Sequence, residues 1–249
     1  MHNDKPKLRG QRPTRNSPHD PGEFSVSTIE EIAKQIVHRL AIGHADITGD
    51  DWGGIFAKSI NGEHRGKPLG LADVTWENCG WTVKTVKQNN PFTVRKVRLI
   101  SGRNSPNYSF DIADPLADIQ ITGAAVLKIW NGRVDESMKE HGELRVVVLL
   151  RDMNTLKFTL FEDEVVRFQP NNYRWETNKR KNLLGIEISS GKHCFTWQKH
   201  GSQFTIHKEV PTSAVKFSLL RRPPMIEEQH IINLTRFDST WVKIEARTF

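Results

Sequence analysis

Residues 71–87, LADVTWENCGWTVKTVK, decide how the rest of the chain is read. Asp73 sits in a short apolar run. A turn-like WENCG follows, and then a β-prone run carries Lys84. The pattern is strand, tight connection, strand. If 71–74 and 81–86 are neighbours in a sheet, a carboxylate and an ammonium emerge together at one sheet end. A carboxylate is a hard oxygen ligand suited to Mg²⁺, which keeps several waters and borrows phosphate oxygens. A metal so held lowers the pKa of its water, and a nearby lysine stabilises developing negative charge. Taken singly, Asp73 reads as a strand-end turn residue and Lys84 as a solvated edge-strand lysine. Their pairing on a basic chain is what points to chemistry.

Upstream, apolar residues Ile29, Ile32, Ala33, Ile36, Val37 and Leu40 repeat at helical spacing and predict a helix over 28–42. Ser27 and Glu30 have the S-x-x-E form of a capping box. A second helix is expected over 50–60, capped by Thr48 with Asp51 at its third position. A loop over 63–70 leads into the Asp73 run. Downstream, 92–100 reads as a strand and SGRNSPNY (101–108) as a polar loop. Asp114-Pro115 opens a helix over 115–130 that Asn131-Gly132 closes. LRVVVLL (144–150) is almost continuously apolar and β-branched, which suits a strand buried on both faces.

From about residue 157 the chain reads as short β-prone runs: 157–161, 165–168, 173–176, 183–188, 193–198, 204–210 and 216–220, with a further strand at 241–245. The fold class expected is α/β or α+β: a mixed central β-sheet flanked by helices, with a β-rich C-terminal half. Residues 1–22, rich in Lys, Arg, Pro and Asn, read as a basic flexible arm, either a solvated tail or a tracker of phosphates. Residues 23–249 are then one domain with a β-rich extension from about 157.

The 249 residues carry a formal charge of +7, and 37% of them are hydrophobic, enough for a core. The pI of about 9.5 favours a polyanionic partner. Cys79 and Cys194 make neither a disulfide framework nor a CxxC metal site, so a reducing cytoplasm is the expected location. No apolar run reaches membrane-span length, so no membrane partner is expected. The polar, basic N-terminus lacks the apolar core of a secretory signal. G-x-S-x-G, H-E-x-x-H and P-loop motifs are absent.

The acid of ADV (Ala72, Asp73, Val74) and the lysine of TVK (Thr82, Val83, Lys84), with helices upstream, resemble the PD-(D/E)XK nuclease superfamily, and within it the type II restriction endonucleases. The resemblance covers roughly 27–100, and the β-rich half is only compatible with it. It implies a restriction-endonuclease-like core, Mg²⁺ as cofactor and hydrolysis of phosphodiester bonds in duplex DNA at a specific short sequence. By position Asp73 matches the first acidic ligand and Lys84 the motif lysine, with the Val83 carbonyl near the metal. Thr82 stands where the family most often has Asp or Glu. Asp51 and Glu77 are the acids expected to complete the metal shell, with Glu63 a third option. Cutting both strands of a palindrome implies a homodimer, since site symmetry mirrors protein symmetry.

Two basic segments supply the DNA side. Lys87, Arg95, Lys96, Arg98 and Arg103, followed by Asn104, Ser105, Asn107 and Tyr108, offer phosphate contacts and base-edge donors. The second holds Arg174, Asn178, Lys179 and Arg180. Solvated turns are the plain alternative for both. The rival functions are a non-catalytic DNA-binding module and a repair or RNA-processing nuclease of the same fold.

Overall fold

The structure is a computed structural model, and residues 17–66 and 70–243 are described. Helix α1 (Val26–Ala41) starts at Ser25, whose Oγ accepts from Thr28 N–H. The cap therefore falls two residues before the Ser27 expected. Helix α2 (Gly49–Ser59) has the expected cap: Thr48 and Asp51 exchange hydrogen bonds as a capping box. Strands β1 (Glu63–His64), β2 (Val74–Trp76) and β3 (Cys79–Lys87) form an antiparallel ladder, the last two joined by the two-residue turn Glu77-Asn78.

After β3 the chain forms β4 (Lys96–Arg103), the short helix α3 (Pro106–Phe110) and the long helix α4 (Ile119–Glu140), then returns as β5 (Glu143–Asp152) beside and parallel to β3. Helix α4 begins after Asp118, whose Oδ1 accepts from the N–H groups of Gln120 and Ile121. It runs straight through Asn131-Gly132, where the sequence predicted its end. Packing overrides the glycine, whose helix cost is only about 1 kcal/mol. Val134 and Ser137 continue the buried stripe of Val126, Leu127 and Trp130, and the Asn131 side chain clasps the main chain of Phe168.

The remaining strands are β6 (Lys157–Glu164), β7 (Tyr173–Thr177), β8 (Leu183–Glu187), β9 (His193–Gln198), β10 (Gln203–Glu209) and β11 (Val215–Ser218). They close two sheets: a mixed one, β1-β2-β3-β5-β6-β11, and an antiparallel one, β4-β10-β9-β8-β7. The fold is thus the expected mixed α/β class with helices against a mixed sheet. The β-rich half is no separate extension, because β6 and β11 complete the first sheet and β4 belongs to the second. Residues 165–168 are not a ladder strand. They form a strap held by α4, with Trp130 Nε1–H donating to Val166 O at 2.9 Å. Trp241 lies in a short 3₁₀ turn (Ser239–Trp241) rather than a strand, and 244–245 lie outside the described residues, as does most of the N-terminal arm. Helix α5 (Glu228–Thr235) is a further element that the sequence reading did not anticipate.

β5 is buried on both faces as expected. Val147 and Leu149, with Trp81 of β3, pack against Ile32 and Ile36 of α1 and Trp52 and Phe56 of α2. Val146, Val148 and Leu150 meet Val97 and Leu99 of β4. Helix α4 lies on the second sheet against Trp175, Phe195 and Phe204. The contact is closest at Gly123, where a Cβ would lie 2.2 Å from the Trp175 ring. That ring cannot slide, because Gln120 bonds both the N–H and the C=O of Trp175. Gly123→Ala is therefore expected to destabilise the fold by about 1–3 kcal/mol, the usual cost of overpacking. Urea denaturation would read the loss, and an unchanged midpoint would contradict the contact.

Residues 17–22, expected to belong to the flexible arm, lie against the sheet. Ser17–Gly22 is clamped to the sheet: Arg145 donates to Ser17 Oγ (2.8 Å) and to His19 O (3.0 Å), and Gly22 N–H donates to Glu162 Oε2 (2.9 Å). No helix among the described residues is long and apolar enough to cross a membrane.

Candidate catalytic site

Asp73 stands just before β2, where the hairpin ladder ends. Its N–H donates to Trp81 O and its C=O accepts from Arg65 N–H. Its carboxylate takes over the next rung: Oδ2 accepts from Val83 N–H at 2.9 Å and from Thr82 Oγ1 at 3.2 Å. Thr82 is thus a donor that orients the carboxylate. With Val74 opposite Trp81, Asp73 lies opposite Thr82, and opposed residues share a face. Lys84, two residues on, shares that face too.

The face looks toward α4 and the second sheet. Lys84 projects into a cavity of about 230 Å³ between the sheets, lined also by Thr82, Ser101, Trp130, Tyr173 and His207. Burial lowers the Lys84 pKa below the ordinary lysine value; Asp73 opposes the shift and Arg133 adds to it. Arg133 comes from the unforeseen last turns of α4. It donates to Ser101 O at 2.6 Å, and its own pKa is lowered by burial against the pull of Asp73. One carboxylate and two cations therefore lie within electrostatic reach of one another, with a net positive charge suited to an anion. The periodicity past Gly132, through Val134 and Ser137, was the signal that would have brought Arg133 into view.

The other expected acids lie elsewhere. Asp51 is on α2, which packs the opposite face of the sheet through Trp52 and Phe56. Its carboxylate is taken by Thr48 and flanked by Arg39 and His44. Glu77 occupies the hairpin turn in the left-handed region (φ 45°), four strand positions and on the order of 13 Å from Asp73. Glu63 is exposed on the edge strand β1, opposite Thr75.

A Mg²⁺ ion that keeps its waters needs only one or two carboxylates beside substrate phosphates. Asp73 supplies one. The N–H and C=O of a strand residue leave by the same edge, so the Val83 carbonyl faces the Asp73 side of β3 with its amide. This donor set fits an ion completed by substrate. It is no preformed cage, since no group of three or more His, Cys, Asp or Glu side chains that could hold a metal occurs among the described residues.

The expected DNA contacts divide. Asn104 is fully buried: its side-chain amide donates to Val126 O and its main-chain O accepts from Trp197 Nε1–H, so it ties α4 to β9 instead of reading bases. Ser105 caps α3. Asn107 and Tyr108 are exposed on that helix, and Arg103 ends β4 opposite Gln203. Lys87 is exposed at the end of β3, on the α2 side, near Asp46. Arg95 precedes β4, and its carbonyl accepts from Val210 N–H. Arg174 pairs with Glu176. The Asn178 side-chain Oδ1 shapes its own turn by accepting from Arg180 and Asn182 N–H. Lys96, Arg98, Lys179 and Arg180, from segments far apart in sequence, lie toward one side of the second sheet, and Arg98, Lys179 and Arg180 line a single groove of about 490 Å³. No family model, curated protein or solved structure matches the chain.

Proposed function

We propose that this protein is a Mg²⁺-dependent endonuclease of the type II restriction kind, acting on duplex DNA at a specific short sequence as a homodimer. One observation carries this reading: the Asp73 carboxylate, fixed by Val83 N–H and Thr82 Oγ1, shares a sheet face with Lys84 and feels both Lys84 and Arg133. Asp73 and the Val83 carbonyl would hold the ion, which when bound supplies an acidified water and offsets charge on the scissile phosphate. Thr82 fixes the orientation of that carboxylate, which would be the ion's anionic ligand. Lys84, whose hold on its proton is weakened by burial, is placed to orient the water and to steady charge on the phosphate oxygens. Arg133 adds a second cation on the same side.

The test is incubation with unmethylated phage DNA in Mg²⁺ and in EDTA. Discrete fragments are expected in Mg²⁺ and none in EDTA, with light scattering giving two protomers per bound duplex. A non-catalytic DNA-binding module is the second reading, carried by the groove on the second sheet that Arg98, Lys179 and Arg180 line together. A salt-sensitive shift of DNA with no fragments in Mg²⁺ would establish that reading instead.

A further inference from the structure

On the second sheet, β9 and β10 bring two histidines together. The His193 and His207 rings lie 4.1 Å apart between centroids. Thr196 Oγ1 sits between them, 3.1 Å from His193 Nε2 and 3.0 Å from His207 Nε2. His193 Nε2 is also 2.7 Å from Phe195 O. A carbonyl only accepts, so this nitrogen carries a proton, and the Thr196 hydroxyl is left to donate to His207 Nε2. One proton per ring satisfies this chain, so both imidazoles rest neutral.

Their surroundings keep them so. Lys96 and Arg98 of β4 flank the pair; Lys96 Nζ donates to His193 O at 2.7 Å, and Arg98 lies opposite His207. Lys179 and Arg180 reach the same groove from the β7–β8 turn. The acids nearby are already matched or turned away. Glu209 pairs with Lys192, Asp163 pairs with Lys208, and Glu187 lies by Cys194 in the inter-sheet cavity. Burial and then His193, Lys96 and Arg98 push His207 down to about 4, and burial chiefly lowers His193 as well.

We propose that this groove is a proton-linked docking site for the DNA phosphodiester backbone, in which His193 and His207 take up protons as phosphates settle between them and Arg98. The inference rests on the reading of the chain as a DNA-acting protein. The neutral pair costs nothing in repulsion while the groove is empty. Phosphates cancel the field of Lys96 and Arg98 and supply acceptors for the imidazolium N–H groups, so the bound state binds protons more tightly than the free state. By linkage, affinity then rises as pH falls. A histidine restored on binding to its ordinary value of about 6.5 strengthens binding by roughly tenfold at about pH 5.5 and little at about pH 7.5.

The experiment is fluorescence anisotropy of a labelled duplex in EDTA at constant ionic strength, across that pH span. It uses the full chain, a His193→Gln/His207→Gln variant and an Arg98→Ala variant. Expected is a gain of about tenfold or more for the unmodified chain at low pH, a flat profile for the double variant, and weaker binding with a shallower salt dependence for Arg98→Ala at every pH. Calorimetry in two buffers of different ionisation heat would show net proton uptake for the unmodified chain. Duplex binding with an equal pH response in the double variant, or with none in the unmodified chain, overturns the inference and leaves the DNA-acting reading standing. No binding at any pH overturns both. If the double variant fails to fold, unaltered binding by Arg98→Ala overturns the docking site alone.

Discussion

Lys84→Met is expected to slow Mg²⁺-dependent cleavage by roughly 10²–10³-fold while leaving the fold at least as stable as before. The two effects run in opposite directions for one reason. The ammonium is half-buried against the second sheet, and that burial is the largest influence on it. Below its lowered folded pKa the charged form opposes folding. The penalty fades as pH rises from that folded value to the unfolded value of about 10.4. A methionine of similar length fills the cavity without it, and Asp73 keeps Arg133 as its counter-charge. Thermal melts and cleavage rates on the same preparations read both halves. A variant that loses activity and melting temperature together would point to a structural lysine. Asp73→Ala is the less discriminating partner experiment. It should also abolish cleavage, but it frees Val83 N–H and leaves two cations facing each other, a cost of about 1–3 kcal/mol.

The second large effect concerns the other face of the same sheet. Glu162 and Arg145 are almost wholly buried, their side chains 0% and 1% exposed, and joined at 3.0 Å. Glu162 also receives Gly22 N–H, the Trp81 indole N–H and His19, while Arg145 reaches Glu143, Ser17 and the His19 carbonyl. Burial alone would raise the Glu162 pKa, but the bond to His19, its charge, Gly22 N–H and Arg145 together hold it below the ordinary value. Glu162→Ala leaves the guanidinium with one outlying carboxylate and frees Gly22 N–H and the His19 ring. It is expected to cost about 3–5 kcal/mol and on the order of 10 °C in melting temperature. Because the folded pKa is depressed, the stabilisation from Glu162 is present above the unfolded value of about 4.3 and disappears as pH falls through the folded one. Guanidinium titrations of both proteins at neutral and acid pH check this: their difference should narrow in acid. A difference under about 1 kcal/mol at neutral pH would contradict the clamp.

Much of this was legible in the sequence where local rules and packing agree. The run LRVVVLL is a strand buried on both faces, the Thr48/Asp51 box starts α2, and Asp73 and Lys84 share a sheet face across a tight turn. Where tertiary packing overrules a local signal, the reading failed. Asn131-Gly132 looked like a stop, yet Asn131 is occupied by Phe168 and the helix goes on to deliver Arg133. Asp51 looked available as an acid, yet it is the reciprocal half of its own helix cap. Thr82 looked like a missing ligand and is a donor to Asp73. The clamp did have a signal: Arg145 and Glu162 are charges at inward positions of two apolar strands, and such charges need each other.

The placement of β4 has a kinetic meaning. The chain lays down β3 in one sheet, gives β4 to the other, and returns to the first with β5. The partner of β4 is β10, so Arg103 must wait for Gln203, far along the chain, before the second sheet acquires that edge. Loop closure over such a span must precede any reward from pairing, which puts this architecture among slow, high-contact-order folders. The two sheets are interleaved in synthesis order, so neither is finished when the ribosome has released only the first half. A nascent chain ending near β6 exposes the unpaired rim of β4 together with the apolar side of α4, and holding that surface apart from other chains is the problem its folding in the cell has to solve.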